Sequence, residues 1–157
     1  MNFEFNDDQR MLRDQARRFL MDKSPPEVVR QTLESDQPYD RELWRQFGEM
    51  GWLGAAIPET YGGSGMGHLE LCVLAEELGR ALAPTPFASS IYLGAEALLT
   101  AGSEEQKQGY LPDLATGAAI WCLALSEGPR PATQGNIEAA VSNGKLTGEK
   151  LPVADGD

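Results

Sequence analysis

Apolar side chains recur with helical spacing in the first part of the chain. One such face runs through four positions related as i, i+4, i+7 and i+8, namely Leu12, Ala16, Phe19 and Leu20. Asn6 stands where a helix N-cap is expected, and Gln9, three residues later, completes a capping box. The pattern therefore predicts an amphipathic helix that begins just after Asn6.

Two further helix starts follow. Ser24 is predicted to cap a short helix that has Pro25 at its first position. Proline suits this position because the N–H group that it lacks would have no partner there. Asp40 is predicted to cap a third helix, and Gly51 is placed to end it in a left-handed conformation. These signals indicate a helical N-terminal region.

A glycine-rich stretch separates these helices from a longer apolar one. Four of the six residues 62–67 are glycine, which indicates an irregular loop. Residues 68–83 then carry an apolar stripe at helical spacing. Leu69 and Cys72 widen this stripe, so the first half of the helix is expected to be buried on several sides.

Residues 87–101 form the most apolar of the predicted helices. Glu96 is the one charged residue among them, so this helix is expected either to lie at the centre of the fold or to line an apolar cavity. Gly94 lets another group approach the helix closely. The segments 68–83 and 87–101 are therefore predicted to enclose a cavity for an apolar ligand.

The pattern changes from helical to β after one more helix, which Ser103 caps and which is expected to end around Gly109 to Pro112. Residues 118–125 form an unbroken apolar run that is typical of a buried strand. Residues 137–147 contain an Asn-Gly pair between two short segments, which predicts a hairpin with a type I′ turn.

The expected fold is α+β and multidomain. An all-α N-terminal domain is predicted over residues 1–117, and a β domain is predicted to begin over residues 118–157. One strand and one hairpin cannot close a core by themselves, so the sequence is expected to stop within that second domain.

Composition narrows the classes of function. The chain holds 13 basic and 24 acidic residues for a net charge of −11, which argues against nucleic acid or an anionic membrane as a partner. No apolar stretch is long enough to span a bilayer, and the N-terminus lacks the features of a signal peptide. Cys72 and Cys122 suit a reducing, cytoplasmic location. His68 is the single histidine, so no metal site is expected.

Three local patterns have both a structural and a chemical interpretation. The glycines of residues 62–67 have the spacing of a phosphate-binding loop, but His68 stands where such a loop requires lysine. His68 and Cys72 have the i,i+4 spacing of a base and a thiol, yet no third group nearby would orient them. We favour a structural turn and a packed cysteine, and we expect the acidic pair Glu76-Glu77 to be a solvated helix edge.

The order of several short motifs resembles that of the acyl-CoA dehydrogenase family. They are a Gly-Trp-Leu-Gly step at residues 51–54, a Pro-Glu-x-Tyr-Gly-Gly-x-Gly loop at residues 58–65, an Ala-Glu-Glu-Leu-Gly helix at residues 75–79, a Gly-Ser-Glu-Glu-Gln-Lys helix start at residues 102–107 and an Ala-Leu-Ser-Glu segment at residues 124–127. The resemblance covers essentially the whole chain, and the loop and the helix start are specific in combination.

This resemblance implies a fold and a reaction. Members of the family have an N-terminal helical domain, a middle β-barrel and a C-terminal helical bundle, and they usually form homotetramers. They bind FAD and oxidise the Cα–Cβ bond of an acyl-CoA thioester, and they pass electrons to an electron-transferring flavoprotein or an equivalent acceptor. The catalytic base lies in the C-terminal bundle, which is absent from this sequence, so no catalytic residue is assigned here.

The resemblance also implies contacts on two elements. The expected cofactor contacts lie on a strand that runs along the flavin, and they are Leu123, Leu125 and Ser126. The expected substrate contacts are Ser126 on the same strand and three residues of the helix that flanks the acyl chain, Leu93, Gly94 and Ala97.

Two departures from the family pattern affect the cofactor. Residues 126–133 lack the Gly-Ser-Asp that holds flavin and CoA phosphates in other members, and Arg130 stands in that loop. Residues 150–153 are Lys-Leu-Pro-Val where many members have an aromatic side chain. Three interpretations stay open: an FAD-dependent dehydrogenase, a non-flavin partner subunit of a heterotetrameric dehydrogenase, and an acyl-CoA oxidase or flavin monooxygenase of the same fold.

Overall fold

In the computed structural model, residues 4–133 and 135–156 are described, and most of the ordered segments are helical. The helices are α1 (Asp7–Lys23), α2 (Pro26–Leu33), α3 (Arg41–Glu49), α4 (His68–Arg80), a π-helix (Ala88–Ala95) that continues into α5 (Glu96–Ala101), and α6 (Glu104–Thr116), with a 3-10 turn at Glu59–Tyr61. A small antiparallel sheet of β1 (Ala140–Ser142) and β2 (Lys145–Thr147) follows. The predicted fold class, a helical region followed by a β region, is confirmed. In the described residues, no helix combines the length and the apolarity needed to cross a bilayer.

The caps that the sequence predicts close the N-termini of α1, α3 and α6. Asn6 Oδ1 accepts the Gln9 N–H at 2.8 Å, and Gln9 Oε1 accepts the Asn6 N–H at 3.1 Å. Ser103 and Gln106 form the same reciprocal pair at α6, and Asp40 accepts an N–H of α3 at 2.9 Å. Each cap pairs a donor that the helix leaves unsatisfied, which fixes where the helix begins.

An ion pair between buried Glu77 and half-buried Arg17 joins α1 to α4. The Glu77 side chain is 1% exposed and accepts two hydrogen bonds from Arg17, with Nη2–Oε1 at 2.7 Å and Nε–Oε2 at 3.0 Å. Arg80 adds an Nε–Oε2 contact of 3.2 Å. The Arg17 hydrogen bonds, with the charges of both arginines, lower the pKa of Glu77. The expectation of a solvated acidic edge is therefore wrong for Glu77, although Glu76 is exposed.

Two hydrophobic clusters fill the helical region. In the first, Trp52 packs between Phe19 and Phe47, with ring centroids 5.4 and 5.2 Å apart, and Phe47 also contacts Phe87. The second cluster joins the loop after α3 to the end of the π-helix, α5 and α6, through buried Ile57, Ala95, Leu98, Leu111, Leu114 and Ala115. Because residues 52–57 contribute to both clusters, this short apolar segment connects the two halves of the core.

The predicted start of the second helix is wrong by one residue. Ser24 ends α1 instead, because its backbone N–H donates to the Leu20 carbonyl at 2.8 Å. Pro25 is the N-cap of α2, and Pro26 is its first residue.

The predicted end of the last helix is also wrong. α6 continues through Pro112 to Thr116. Proline removes one helical hydrogen bond, but Leu111 and Leu114 are fully buried in the second cluster. The burial of these side chains outweighs the missing hydrogen bond, so the helix extends into the core.

α4 is buried on fewer sides than its apolar stripe predicts. Leu71 and Leu74 face the core, whereas Leu69 and Cys72 are exposed. No described element covers the side of α4 that carries Leu69 and Cys72. The helix also ends at Arg80 rather than at residue 83.

The β region differs from its prediction in one part and agrees in another. Residues 118–125 form no strand in the described chain, and Leu123 and Leu125 are exposed. A neighbouring strand would be needed to bury them on both faces, and the described residues supply none. The hairpin is confirmed, with φ of 51° at Asn143 and 72° at Gly144, as a type I′ turn requires.

Gly48 and Gly109 give a matched test of this packing. A Cβ on Gly48 in α3 would lie 2.2 Å from the Thr116 carbonyl oxygen, whereas a Cβ on Gly109 in α6 would meet nothing within 4 Å. We expect Gly48→Ala to destabilise the full-length protein by about 3 kcal/mol through overpacking. Gly109→Ala should be neutral, or stabilising by up to about 1 kcal/mol, because alanine favours a helix. Thermal unfolding checks both, and equal melting temperatures would contradict the close packing of α3 on α6.

Candidate functional site

The chain reverses direction between α4 and the π-helix. Leu82 has a φ of 49°, a left-handed conformation that is uncommon for a residue with a side chain. Pro84 and Pro86 follow, and they prevent the helix from continuing. After this turn the π-helix runs back beside α4, and His68 Nε2 lies 2.5 Å from Glu96 Oε1. Glu96 is thus a neighbouring group that the sequence pattern did not bring near His68, and within the described residues His68 makes no hydrogen bond to Cys72.

A cavity of about 250 Å³ opens between the end of α4 and the start of the π-helix. None of its lining residues is charged, and they include Ala75, Leu78, Gly79, Thr85, Ala88 and Tyr92. A Cβ on Gly79 would meet no atom within 4 Å, and burial raises the pKa of Tyr92. An uncharged depression thus lies at one end of the space predicted between segments 68–83 and 87–101, and its use by an apolar ligand stays a prediction.

A larger cavity of about 670 Å³ shares Ala83 and Thr85 with the first. Arg41 and Asp155 both line it, so it offers a cation and an anion as well as apolar surface. The Asp155 carboxylate accepts a hydrogen bond from the hydroxyl of buried Ser89 on the π-helix. The turn at residues 83–86 thus stands between an uncharged cavity and a polar one.

Close contacts hold segment 118–126 along the π-helix. The Trp121 backbone N–H donates to the buried Ser90 Oγ at 3.3 Å. A Cβ added to Gly94 would lie 2.9 Å from the Trp121 Cβ, so a larger residue at position 94 would push the segment away. The close approach predicted at Gly94 is confirmed, and the group that approaches is Trp121.

Segment 122–126 has backbone and side-chain groups free to contact a ligand. Within the described part of the chain, the N–H groups of residues 122–125 make no hydrogen bond. Leu123 and Leu125 are 39% and 47% exposed. Ser126 is half-buried, and its carbonyl accepts the Leu151 N–H at 2.8 Å. The segment presents backbone donors, two apolar side chains and one hydroxyl in a row.

Glu127 ties the end of this segment to the β region. Its carboxylate accepts a hydrogen bond from Lys150 Nζ at 2.7 Å and from the N–H groups of Glu138 and Ala139 at 2.6 and 2.9 Å. These bonds, with that of Lys150 the strongest, lower the pKa of Glu127 to about 2. The carboxylate is therefore ionised at neutral pH, and it anchors the residues just before β1.

The residues expected from the family resemblance lie in two groups. Leu123, Leu125 and Ser126 all lie in segment 122–126. Leu93 is exposed, Gly94 is buried and Ala97 is half-buried, and none of these three lines either cavity. Their role as substrate contacts stays a prediction.

Thr85 and Tyr92, which line the uncharged cavity, do not follow from the sequence pattern. The Pro84-x-Pro86 sequence indicates only that a helix stops, and nothing in it shows that the residue between the prolines borders two cavities. Tyr92 lies in the π-helix, where the pattern of residues that share a face differs from that of an α-helix. A search for hydroxyl residues within proline-bounded turns would have found Thr85.

Known proteins resemble this chain in sequence and in fold. A family model described as the acyl-CoA dehydrogenase N-terminal domain matches residues 6–118. The chain is 35% identical to the probable acyl-CoA dehydrogenase YngJ of Bacillus subtilis, over 96% of this chain and 40% of that protein. It is 36% identical to the mitochondrial isovaleryl-CoA dehydrogenase of Pongo abelii, over 78% of this chain and 29% of that protein.

Solved structures show the same similarity. A chain of the ChsE4-ChsE5 complex from Mycobacterium tuberculosis matches with a TM-score of 0.82 and 33% identity, over 98% of this chain and 42% of that chain. This chain spans less than half the length of each of these three proteins.

The anchoring role of Glu127 can be tested by Glu127→Gln in the full-length protein. The folded pKa of about 2 lies below the ordinary value of a glutamate, so the stabilisation is complete above pH ~4.5 and is lost as the pH falls toward 2. At pH 7 we expect the variant to exchange the amide hydrogens of residues 137–147 about tenfold faster, because two N–H groups lose a charged acceptor. Hydrogen exchange with mass spectrometry measures this rate. The control is Glu149→Gln at an exposed site, and equal rates in the two variants would contradict the anchor.

Proposed function

This chain belongs to the acyl-CoA dehydrogenase family, and we propose that it supplies the acyl-binding part of an FAD-dependent acyl-CoA dehydrogenase. In the proposed reaction an acyl-CoA thioester loses a proton from Cα and a hydride from Cβ, which leaves the α,β-unsaturated thioester. FAD, when bound, supplies the hydride acceptor. The main support is the uncharged cavity lined by Leu78, Ala88 and Tyr92, together with the unpaired N–H groups of residues 122–125.

The cavity has the character that a hydrocarbon chain requires. Its lining carries no charge although the chain as a whole has a net charge of −11. Burial of an acyl chain against Leu78, Ala88 and the Tyr92 ring would remove apolar surface from water, which is the main source of affinity for such a ligand. Leu93 and Ala97 remain proposed contacts on the same helical segment. Gly94 would act indirectly, since Trp121 occupies the space beside it.

Segment 122–126 has the groups that a flavin ring requires. We propose that Leu123, Leu125 and Ser126 would hold the cofactor, with Ser126 near the substrate as well. The unpaired N–H groups of residues 122–125 are donors, and hydrogen bonds to the ring favour its reduced, electron-rich form. The exposed leucines would cover the ring and exclude water from it.

We place the catalytic base outside both cavities. The uncharged cavity has no carboxylate among its lining residues, and Asp155 in the larger cavity already accepts a hydrogen bond from Ser89. We propose that the longer protein supplies the base, assembles as a tetramer and passes electrons to an electron-transferring flavoprotein or an equivalent acceptor.

One observation favours a second candidate, a non-flavin subunit of a heteromeric dehydrogenase. The loop at residues 128–133 contains Pro129 and Pro131, which lack the backbone N–H groups that a phosphate would need. Arg130 is exposed in that loop and is its one cation. The similar ChsE4-ChsE5 structure is a complex of two named components. In this alternative, the chain would complete the active site of a homologous partner subunit.

The visible spectrum of the purified full-length protein distinguishes these candidates. For the dehydrogenase, we expect flavin absorbance that survives gel filtration, bleaches anaerobically with an acyl-CoA and recovers slowly in air. A colourless protein that becomes yellow only when co-expressed with a homologue would support the partner subunit. Rapid reoxidation with formation of hydrogen peroxide would favour an oxidase.

Gly79→Leu tests whether the acyl chain enters the uncharged cavity. The new side chain would fill open space without a clash at Cβ, so the fold should persist while the cavity shrinks. We expect kcat/KM for long-chain acyl-CoA to fall roughly tenfold more than for short-chain acyl-CoA. Gly109→Leu, also at an open position but away from the cavity, serves as the control. An equal effect on both chain lengths would place the acyl group elsewhere.

A further inference from the structure

A groove with a volume of about 560 Å³ lies on the face formed by α1, α2 and the end of α4. Its floor contains Leu20 and Val29, which are buried at 1% and 8% exposure. The floor is therefore part of the helical core, and any occupant of the groove would extend that core outward.

The walls of the groove carry three of the most exposed large apolar side chains in the described residues. Met21, Leu33 and Leu82 are 72%, 75% and 71% exposed, and they come from α1, α2 and the turn after α4. Single exposed apolar residues are common on proteins, but a convergent group of them marks an interaction surface. The φ of 49° at Leu82 adds to this argument, since strained backbone tends to persist where function needs it.

Arginines surround the groove. Arg17, Arg30 and Arg80 line it, and the one carboxylate among the lining residues is Glu77, which is buried and held by Arg17 and Arg80. Arg30 forms no ion pair within the described part of the chain. Arg80 also pairs with exposed Glu76 at 3.6 Å, so the unpaired positive charge of the groove lies at Arg30. An occupant with negative charge at its edges would be electrostatically complementary.

The shape and the charge favour one kind of occupant. A small lipid anion would need walls that enclose most of its surface, whereas the wall residues of this groove are themselves more than two-thirds exposed. A symmetric contact with a second copy of this face would leave Arg30 without an acidic partner, because Glu77, the one lining carboxylate, is already held by Arg17 and Arg80. We propose that the groove binds an acidic amphipathic helix of a partner protein, with its apolar face on Met21, Leu33 and Leu82 and a carboxylate beside Arg30. This inference is independent of the proposed function.

The test uses the full-length protein and two synthetic helical peptides. The first carries leucine at positions i, i+3, i+4 and i+7 with glutamates on both sides of that stripe, and the second has lysines in place of the glutamates. We expect fluorescence anisotropy to show that the glutamate peptide binds at least about tenfold more tightly. Its affinity should also fall as the salt concentration rises.

Matched variants locate the binding. Arg30→Glu and Met21→Glu should each weaken binding of the glutamate peptide about tenfold or more, and Arg30→Glu should strengthen binding of the lysine peptide. Arg18→Glu and Met11→Glu make the same chemical changes on α1 outside the groove, and they should leave both affinities unchanged. Circular dichroism confirms that each variant is folded.

Three results would overturn the proposal. They are equal binding of the two peptides, binding that Arg30→Glu does not alter, and an absence of binding to the full-length protein. The last result is expected if the rest of the polypeptide or a second copy fills the groove.

Discussion

A buried carboxylate is stable only while it is paired, so the helical region must keep an arginine partner beside Glu77. Its 1% exposed side chain is held by two hydrogen bonds from Arg17 on α1 and by Arg80 one turn further along α4. Loss of a partner would leave an uncompensated buried charge, which is strongly unfavourable. The pair therefore fixes α4 against α1, and the end of α4 in turn positions the left-handed turn at Leu82. The uncharged cavity and the apolar groove both use residues of that turn.

Elements governed by local chemistry could be predicted from the sequence, and elements governed by tertiary contacts could not. The caps at Asn6, Asp40 and Ser103 and the Asn143-Gly144 turn involve neighbouring residues only, and all of them are confirmed. The end of α6 depends on how deeply Leu111 and Leu114 are buried, and this depth cannot be obtained from a single helix. The strand expected at residues 118–125 fails for a related reason, because a strand exists only when another strand pairs with it.

The candidate site likewise has one part that could be predicted from the sequence and one part that could not. A cavity between two nearly uncharged segments could be predicted, since charge-poor helices must be buried or must line apolar space. The residues that form its wall could not, because Tyr92 lies in a π-helix and Thr85 lies in a turn between prolines. Leu123, Leu125 and Ser126 were expected from the resemblance, and the unpaired N–H groups beside them add a physical reason for a ligand to lie there. Thus the proposed acyl side has an uncharged lining, whereas the loop with Pro129 and Pro131 offers few donors for phosphates.

The π-helix makes the shape of the cavity sensitive to chain length as well as to side-chain identity. In an α-helix each residue advances the direction of the side chain by about 100°, and a π-helix contains extra residues within its turns. Deletion of a single residue between Ala88 and Ala95 would allow the segment to rewind as an α-helix and would turn the side chains of α5 to new directions. Relatives with the same cavity-lining residues but one residue fewer in this segment would therefore have a differently shaped cavity wall. Insertions and deletions here would then change the shape of the cavity without any substitution in its lining.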